Sequence, residues 1–279
     1  MAKKKTSDSE PESGDSMSKI KSLIQNQSKI WMKGWNEITT LIMENKATIL
    51  DTGKVIIQAL LLAVLIRIFL FQPFNIPSGS MKATLLIGDY LFVSKYSYGY
   101  SHYSFPFSPH LFSGRIFTSK PKRGDVAVFK NPFTKDDWIK RVIGLPGDEI
   151  QMIEGVLYIN GKAVPKRRVK DFIGRDRFGI RRPIPRYEEI LPNGVHYFVL
   201  DEIKDGPLDT TGVYKVPPGH YFMMGDNRDN STDSRVTNET GPIPLENFIG
   251  RAEFLFFSKG EGGDALTNIR WSRIFTSIK

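Results

Sequence analysis

The 279-residue chain contains no cysteine, so disulfides, thiolate metal sites and cysteine nucleophiles are excluded together. This absence does not identify a compartment, because a domain of this size can bury its own core without disulfides. Histidine is scarce as well. The four histidines, His102, His110, His196 and His220, lack the spacing of a metal site, and no glycine-rich phosphate loop is present. We therefore expect neither a metal nor an organic cofactor.

Acidic residues are outnumbered by basic ones, which gives the chain a formal net charge of +9 and a pI near 9.5. Such a charge suits either nucleic acid or an anionic membrane surface. The charge alone does not choose between these partners.

The N-terminal region divides into two polar segments. Residues 1–18 hold almost nothing to bury and are predicted to form a disordered tail. Between Lys19 and Asn45 apolar residues recur at steps of three, four and seven, which indicates one helical stripe that carries Trp31 and Trp35. That stripe fits a helix lying on a membrane or a helix packed against protein. We assign residues 19–54 to a cytoplasmic amphipathic segment.

Residues 55–72 form the one long apolar run, within "KVIIQALLLAVLIRIFLFQPF". Its length approaches the roughly 20 residues that a membrane-spanning helix needs. Arg67 would be costly at the bilayer centre, but near one end it can extend to the headgroups. We predict a single uncleaved anchor, with a buried core helix as the alternative. Lys46 and Lys54 favour a cytoplasmic N-terminus.

Beyond Pro73 the pattern changes to short segments rich in β-branched and aromatic residues and bounded by turn residues. The sequence predicts a mostly β domain over residues 73–279, built as an antiparallel sheet or barrel-like structure. Two stretches interrupt this pattern, at about residues 97–121 and 165–195. The first is aromatic and the second is rich in arginine. Each is expected either to contact a membrane interface or to be an ordinary surface segment.

Three short polar segments contain residues suited to catalysis: "PSGSM" at 77–81, "WIKRVIGLPGD" at 138–148 and "GDNRDNSTDSR" at 225–235. Lys140 stands among apolar residues, and burial would lower its pKa from about 10.4 toward neutrality. A neutral lysine beside a serine hydroxyl is a workable base and nucleophile. From spacing alone, Lys140 could equally be a structural strand residue, and Lys82 is a rival base.

Taken in order, "IPSGSM", "KRGDVAVFK", "IKRVIGLPGD" and "GDNRDNSTDSR" resemble the conserved boxes of bacterial type I signal peptidases. The resemblance runs from the apolar segment to "IGRAEFLFFS". It implies a membrane-bound serine endopeptidase that removes signal peptides from exported pre-proteins. Such an enzyme would sit in the bacterial cytoplasmic membrane, near the export translocon, with its catalytic domain on the extracytoplasmic side. It would bind no nucleic acid. Many members of the family have two spanning helices, whereas this sequence predicts a single pass because Lys19 to Asn45 is too polar to be a second.

The resemblance also implies roles for individual residues. Ser80 matches the nucleophile and Lys140 the general base. Ser78 matches the hydroxyl that forms the oxyanion hole with the Ser80 N–H. Ser231 matches the group that orients the lysine. Asp233 and Arg235 match an ion pair that supports the site. The residues that match the pockets for small substrate side chains are Phe74, Ile76, Met81, Leu85, Val128, Trp138 and Ile139.

The chain departs from the family pattern after Met81, where Lys82-Ala83 replaces the usual x-Pro. Two other functions stay open at this point. One is a related Ser/Lys peptidase with a specialised substrate, such as a pilin or a conjugation protein. The other is a non-enzymatic, basic, membrane-anchored binding domain.

Overall fold

The computed structural model describes residues 13–110, 112–176, 178–260 and 268–279. The first twelve residues of the predicted disordered tail lie outside these ranges. From Ser13 onward the chain is helical.

Two helices come first: α1 over Ser13–Glu44 and α2 over Lys46–Phe69. The chain divides into two compact units, one ending at Ala63 and the other covering Val64–Lys279. Within α2, Leu50–Phe69 is a 20-residue stretch of mean hydropathy 1.9, long and apolar enough to cross a membrane. The predicted run of 55–72 extends three residues past the helix. The α-helix stops at Phe69 because Pro73 disfavours helical geometry at the residues before it.

After α2, the regular secondary structure of the described residues is almost entirely strand, with a few short 3₁₀ turns, which confirms the mostly β prediction. Fourteen strands follow α2: β1 Phe71–Asn75, β2 Asp89–Ser94, β3 Val126–Lys130, β4 Asp137–Gly144, β5 Glu149–Ile153, β6 Val156–Ile159, β7 Lys162–Ala163, β8 Lys166–Arg175, β9 Arg181–Ile190, β10 His196–Leu200, β11 Tyr214–Lys215, β12 His220–Met224, β13 Ile243–Pro244 and β14 Phe248–Ser258.

These strands make three antiparallel sheets. The largest has the order β1-β2-β14-β3-β4-β12-β13, and smaller sheets follow the orders β10-β9-β8 and β11-β5-β6-β7. The long β14 pairs with both β2 and β3, so the last strand of the domain lies between two of its first strands in the large sheet. The Asn160-Gly161 turn joins β6 to β7, with both residues at positive φ.

Both faces of the large sheet are buried, because successive side chains along β3 alternate between two apolar clusters. One apolar cluster under β1, β2 and β14 contains Ile76, Met81, Leu85, Leu91 and Val128. A second cluster around Phe129, Val142 and Phe248 fills the opposite face. Buried Ala127 and Lys140 face each other across β3 and β4.

The two predicted insertions have different structures. The described residues of the first insertion, 97–110 and 112–121, hold little regular structure apart from a 3₁₀ turn, His102–Ser104, and a bridge between Tyr100 and Ile116. The arginine-rich stretch is a long β8–β9 hairpin that packs with β10 as a sheet of its own.

Candidate active site

Ser80 lies in the turn that joins β1 to β2. The turn is held by hydrogen bonds from the Lys82 N–H to the Gly79 carbonyl, at 3.1 Å, and from the Leu85 N–H to the Met81 carbonyl, at 2.8 Å. Met81 and Leu85 are fully buried in the core beneath it. These two apolar side chains therefore anchor the serine turn to the sheet.

Lys140 lies on β4 and points toward that turn. Its Nζ is 2.8 Å from the Ser80 Oγ and 3.2 Å from the Ile139 carbonyl oxygen. Both Ser80 and Lys140 are buried. Burial lowers the pKa of the Lys140 ammonium to about 8, while the carboxylates of Asp233 and Asp226 act in the opposite direction. A base and a nucleophile sixty residues apart in sequence are thus in direct contact.

Ser78 lies on the same turn, and its Oγ is 3.4 Å from the Ser80 Oγ. Among the described residues, the Ser80 N–H has no hydrogen-bond acceptor in the turn or in the loop opposite. A hydroxyl and an N–H with these positions are available to a substrate oxygen that approaches Ser80.

The loop of residues 225–235 holds the serine turn from the other side. The Asn227 N–H donates to the Ser80 carbonyl at 3.0 Å, and the Asn227 Nδ2 donates to the Gly79 carbonyl, also at 3.0 Å. At Gly225 a Cβ would lie 2.2 Å from the Ser231 Oγ and 2.6 Å from the Ser80 carbonyl oxygen, so only glycine fits there. The sequence did not single out Asn227, although it lies in the third polar segment, 225–235.

Asp233 and Arg235 form the buried ion pair that the resemblance implies. The Arg235 Nε is 2.8 Å from one Asp233 oxygen, and its second nitrogen is 2.9 Å from the other. The Ser231 hydroxyl donates to Asp233 at 2.8 Å. It makes no hydrogen bond to Lys140 within the described chain, so its geometry is that of a group that braces Asp233. The lysine-orienting role of Ser231 remains a prediction.

Two further buried ion pairs surround the site, and the sequence reasoning missed both. Arg141 clamps Asp226 through its Nε and a terminal nitrogen, at 2.9 and 2.7 Å. Arg228 clamps Glu189 on β9 at 2.9 and 2.6 Å. The arginines lie beside Lys140 and Asn227 in sequence, but their acidic partners could not be paired with them without the fold.

A cleft of about 370 Å³ opens beside Ser80 and Lys140. Of the predicted pocket residues, five line this cleft: Phe74, Ile76, Val128, Trp138 and Ile139. Met81 and Leu85 do not, because the tight serine turn directs them into the core below. Lys82, the rival base, donates from its Nζ to the Arg175 carbonyl at 3.1 Å, on the β8–β9 hairpin.

Among the described residues, one cluster of three carboxylates could hold a metal ion. It consists of Asp201, Asp209 and Asp229, whose oxygens lie within 4.8 Å of one another. Each already has protein partners. Asp201 pairs with Lys166, Asp209 accepts the Gly206 N–H, and Asp229 accepts two backbone N–H groups. None of the three contacts Ser80 or Lys140.

Comparison with known proteins shows which family the chain resembles. Residues 49–257 match the family model described as "Signal peptidase, peptidase S26". A signal peptidase I of Rickettsia typhi is 49% identical over 207 residues, which cover 71% of this chain and 76% of that protein. A signal peptidase I of Rickettsia canadensis is 45% identical over 232 residues, covering 80% of this chain and 84% of that protein.

The crystal structure of a signal peptidase I from Enterococcus faecalis V583 is 26% identical and covers 48% of this chain and 97% of its own, with a TM-score of 0.28. The assignment depends instead on the family match, on the identities to the rickettsial proteins and on the paired serine and lysine. On these grounds the chain belongs to the signal peptidase family, peptidase S26, and is a serine endopeptidase.

Proposed function

We propose that the protein removes N-terminal signal peptides from exported pre-proteins, with Ser80 as nucleophile and Lys140 as general base. The observation that supports this most directly is the 2.8 Å contact between Ser80 Oγ and a buried lysine amine of lowered pKa. Membership of an endopeptidase family removes the alternative of a purely binding domain.

Acylation begins with neutral Lys140. Its amine takes the Ser80 proton while the Ser80 Oγ attacks the scissile carbonyl carbon. The negative charge that develops on the carbonyl oxygen is held by the Ser80 N–H and the Ser78 hydroxyl. A preorganised donor of this kind contributes about 10²–10³ in kcat in a comparable protease site. The protonated Lys140 then gives its proton to the leaving amine, and the acyl-enzyme ester remains on Ser80.

Deacylation repeats these steps with water as the nucleophile. Lys140 removes a proton from water, the hydroxide attacks the ester, and the proton returns to the Ser80 Oγ. The acid product is released, and Lys140 is neutral again. Asp233 and Arg235 keep the surrounding charge balanced through both half-reactions, since each is neutralised by the other.

The cleft supports a substrate with small residues at positions −1 and −3. Its walls are mainly apolar, formed by Phe74, Ile76, Val128 and Ile139. A peptide in extended form would lie between the end of β1 and the start of β4, with its scissile carbonyl at Ser80.

We place the enzyme in the bacterial cytoplasmic membrane, anchored by Leu50–Phe69, with the amphipathic segment in the cytoplasm and the β domain outside. The apolar 20-residue stretch and the short connection from Phe69 to Ser80 support this placement. In this position the active site meets pre-proteins as they leave the export translocon. Nucleic acid has no part in this proposal.

A cleavage assay with full-length protein in detergent tests the dyad. Ser80→Ala and Lys140→Ala should each abolish processing of a pre-protein with small residues at −1 and −3. Exposed Ser119→Ala and Lys162→Ala are the matched controls and should cleave at the wild-type rate. Processing by purified Ser80→Ala would refute the proposal. If wild type ignores a generic pre-protein but cleaves a pilin-type substrate, the specialised peptidase is favoured instead.

A further inference from the structure

A small cavity lies where the end of α2 meets the large sheet. Its volume is about 170 Å³, and its walls include Arg67, Lys95, Lys130 and Asp137 together with Tyr103 and Phe105. Three basic side chains against one acidic one leave a surplus of two positive charges. We call this space the junction cavity. It is separate from the dyad, although Asp137 also borders the active-site cleft.

Arg67 lies in the last turn of α2, two residues before the apolar stretch ends. Its side chain is exposed, and within the described chain it makes no hydrogen bond or ion pair with protein. If the helix spans a bilayer, an arginine at this position reaches the level of the headgroup phosphates. The guanidinium fork matches phosphate oxygens in a bidentate manner.

Lys95 provides a second cation, and it is almost fully buried in the cavity wall. Its ammonium donates to the Ser104 carbonyl. Burial and the positive charge of Arg67 lower the pKa of Lys95 to about 8. The one acid nearby, Asp137, is already paired with Lys130 at 2.7 Å. An anion inside the cavity would offset the repulsion between Arg67 and Lys95.

Aromatic side chains surround this junction. The Tyr100 hydroxyl donates to the Phe69 carbonyl at 2.7 Å, and Tyr96 packs edge-on against Phe71. Phe107, on the cavity rim, is fully exposed. Aromatic residues are enriched at the level where a bilayer meets water. The cavity is smaller than the roughly 300–1,000 Å³ of pockets for larger ligands, so it suits a phosphate group rather than a whole nucleotide.

We propose that the junction cavity binds the phosphate of an anionic phospholipid headgroup, held by Arg67 and Lys95 and flanked by Lys130. The proposal rests on the membrane anchoring proposed above. A lipid bound here would fix the bilayer surface at the start of β1. The serine turn and the cleft would then stand at a defined height above the membrane.

Native mass spectrometry of the full-length protein released from detergent micelles tests this site. Wild type should retain one phosphatidylglycerol about tenfold more tightly than phosphatidylcholine, a difference of about 1.4 kcal/mol. Arg67→Gln should lose most of that preference, and Arg67→Lys should keep part of it. The matched control is Arg181→Gln, an exposed arginine on β9, which should behave as wild type.

Equal retention of the two lipids by wild type, or an undiminished preference in Arg67→Gln, would overturn the proposal. Displacement of the lipid by micromolar soluble glycerol phosphate would also overturn it, since the site would then take free phosphate. Alkaline extraction of the protein from membranes distinguishes failure of the proposed membrane anchor from failure of the proposed lipid site. A protein that is extracted is not anchored, whereas a retained protein without lipid preference refutes the headgroup site alone.

Discussion

At the scale of single residues, the proposed chemistry depends on the protonation state of Lys140. Its pKa of about 8 means that roughly a tenth of the molecules hold the neutral amine at pH 7. An ordinary lysine of pKa 10.4 would be neutral in fewer than about one molecule in a thousand. Burial therefore makes the proposed base available at physiological pH without any histidine.

The first prediction concerns the pH dependence of cleavage. The value of kcat/KM should rise about tenfold per pH unit below pH 8 and level off above it, because only neutral Lys140 can accept the Ser80 proton. A peptide-cleavage profile from pH 5.5 to 10 measures this. Lys82→Met should keep the same inflection, since that ammonium faces the β8–β9 hairpin. A flat profile from pH 5 to 9 would contradict the lysine base.

A second prediction concerns stability at the same residue. Because the pKa of Lys140 falls from 10.5 to about 8 on folding, the unfolded chain binds more protons between these values. Stability should therefore rise from pH 8 to 10.5, and below pH 8 the full cost of burying the charge remains. Lys140→Met should stabilise the inactive protein at pH 7 by up to about 3 kcal/mol.

Unfolding of the full-length protein in detergent at pH 7 and pH 10.5 measures that effect. The advantage of Lys140→Met should shrink at the higher pH, where the wild-type lysine is neutral in both states. Lys162→Met, at an exposed position, serves as the control and should change little at either pH. A destabilised Lys140→Met variant at pH 7 would show that burial of the amine carries no such cost.

At the scale of elements, the 225–235 loop positions the serine turn. Asn227 satisfies two carbonyls of that turn, at Gly79 and Ser80, and three bidentate arginine–carboxylate pairs hold the loop and its surroundings in place. Breaking one partner of a buried pair costs about 3–5 kcal/mol, so loss of any one of these partners would destabilise the folded loop. The conformation of the serine turn therefore depends on this loop as well as on the residues of the turn itself.

Asn227→Ala should lower kcat about tenfold with little change in KM. The substitution removes one of the two hydrogen bonds to the Gly79 carbonyl and leaves the one from the Lys82 N–H. Such a bond is worth about 0.5–1.5 kcal/mol, and its loss loosens the serine turn without removing a contact to the substrate. Asn227→Asp, which cannot donate to Gly79, should be similarly impaired. Asn193→Ala removes a comparable bond from an exposed asparagine to the Arg123 carbonyl and should retain wild-type kinetics. Steady-state kinetics in which KM alone rises would argue against a positioning role.

The sequence predicted part of this element-scale picture. The β-rich pattern predicted the strands, the apolar run predicted a long apolar helix, and Asn160-Gly161 predicted its turn. Motif order pointed to the Ser80–Lys140 and Asp233–Arg235 pairs that are in contact in the structure. It did not find Glu189 as the partner of Arg228, because their contact joins β9 to a distant loop. Met81 and Leu85 were expected in the pocket, since a sequence does not show which way a tight turn directs its side chains. The β8–β9 hairpin was equally hard to foresee, since its charged strands lack a clear apolar alternation.

At the scale of the whole molecule, the absence of cysteine provides a direct test of topology. A single introduced cysteine is the one thiol in the chain, so a membrane-impermeant maleimide reports its side of the membrane without background. Ser28 on α1 and Lys162 on β7 are both exposed and lie on opposite sides of Leu50–Phe69 in sequence. They therefore report the two sides of the proposed anchor.

In intact bacterial cells made permeable only at the outer membrane, Lys162→Cys should be labelled and Ser28→Cys should not. Disruption of the inner membrane should expose Ser28→Cys to the same reagent. The wild-type chain must stay unlabelled throughout, and both variants should still process a pre-protein. Labelling of Ser28→Cys in intact cells would place the amphipathic segment outside. If both positions reacted only after lysis, the β domain would face the cytoplasm, where Ser80 could not meet exported substrates.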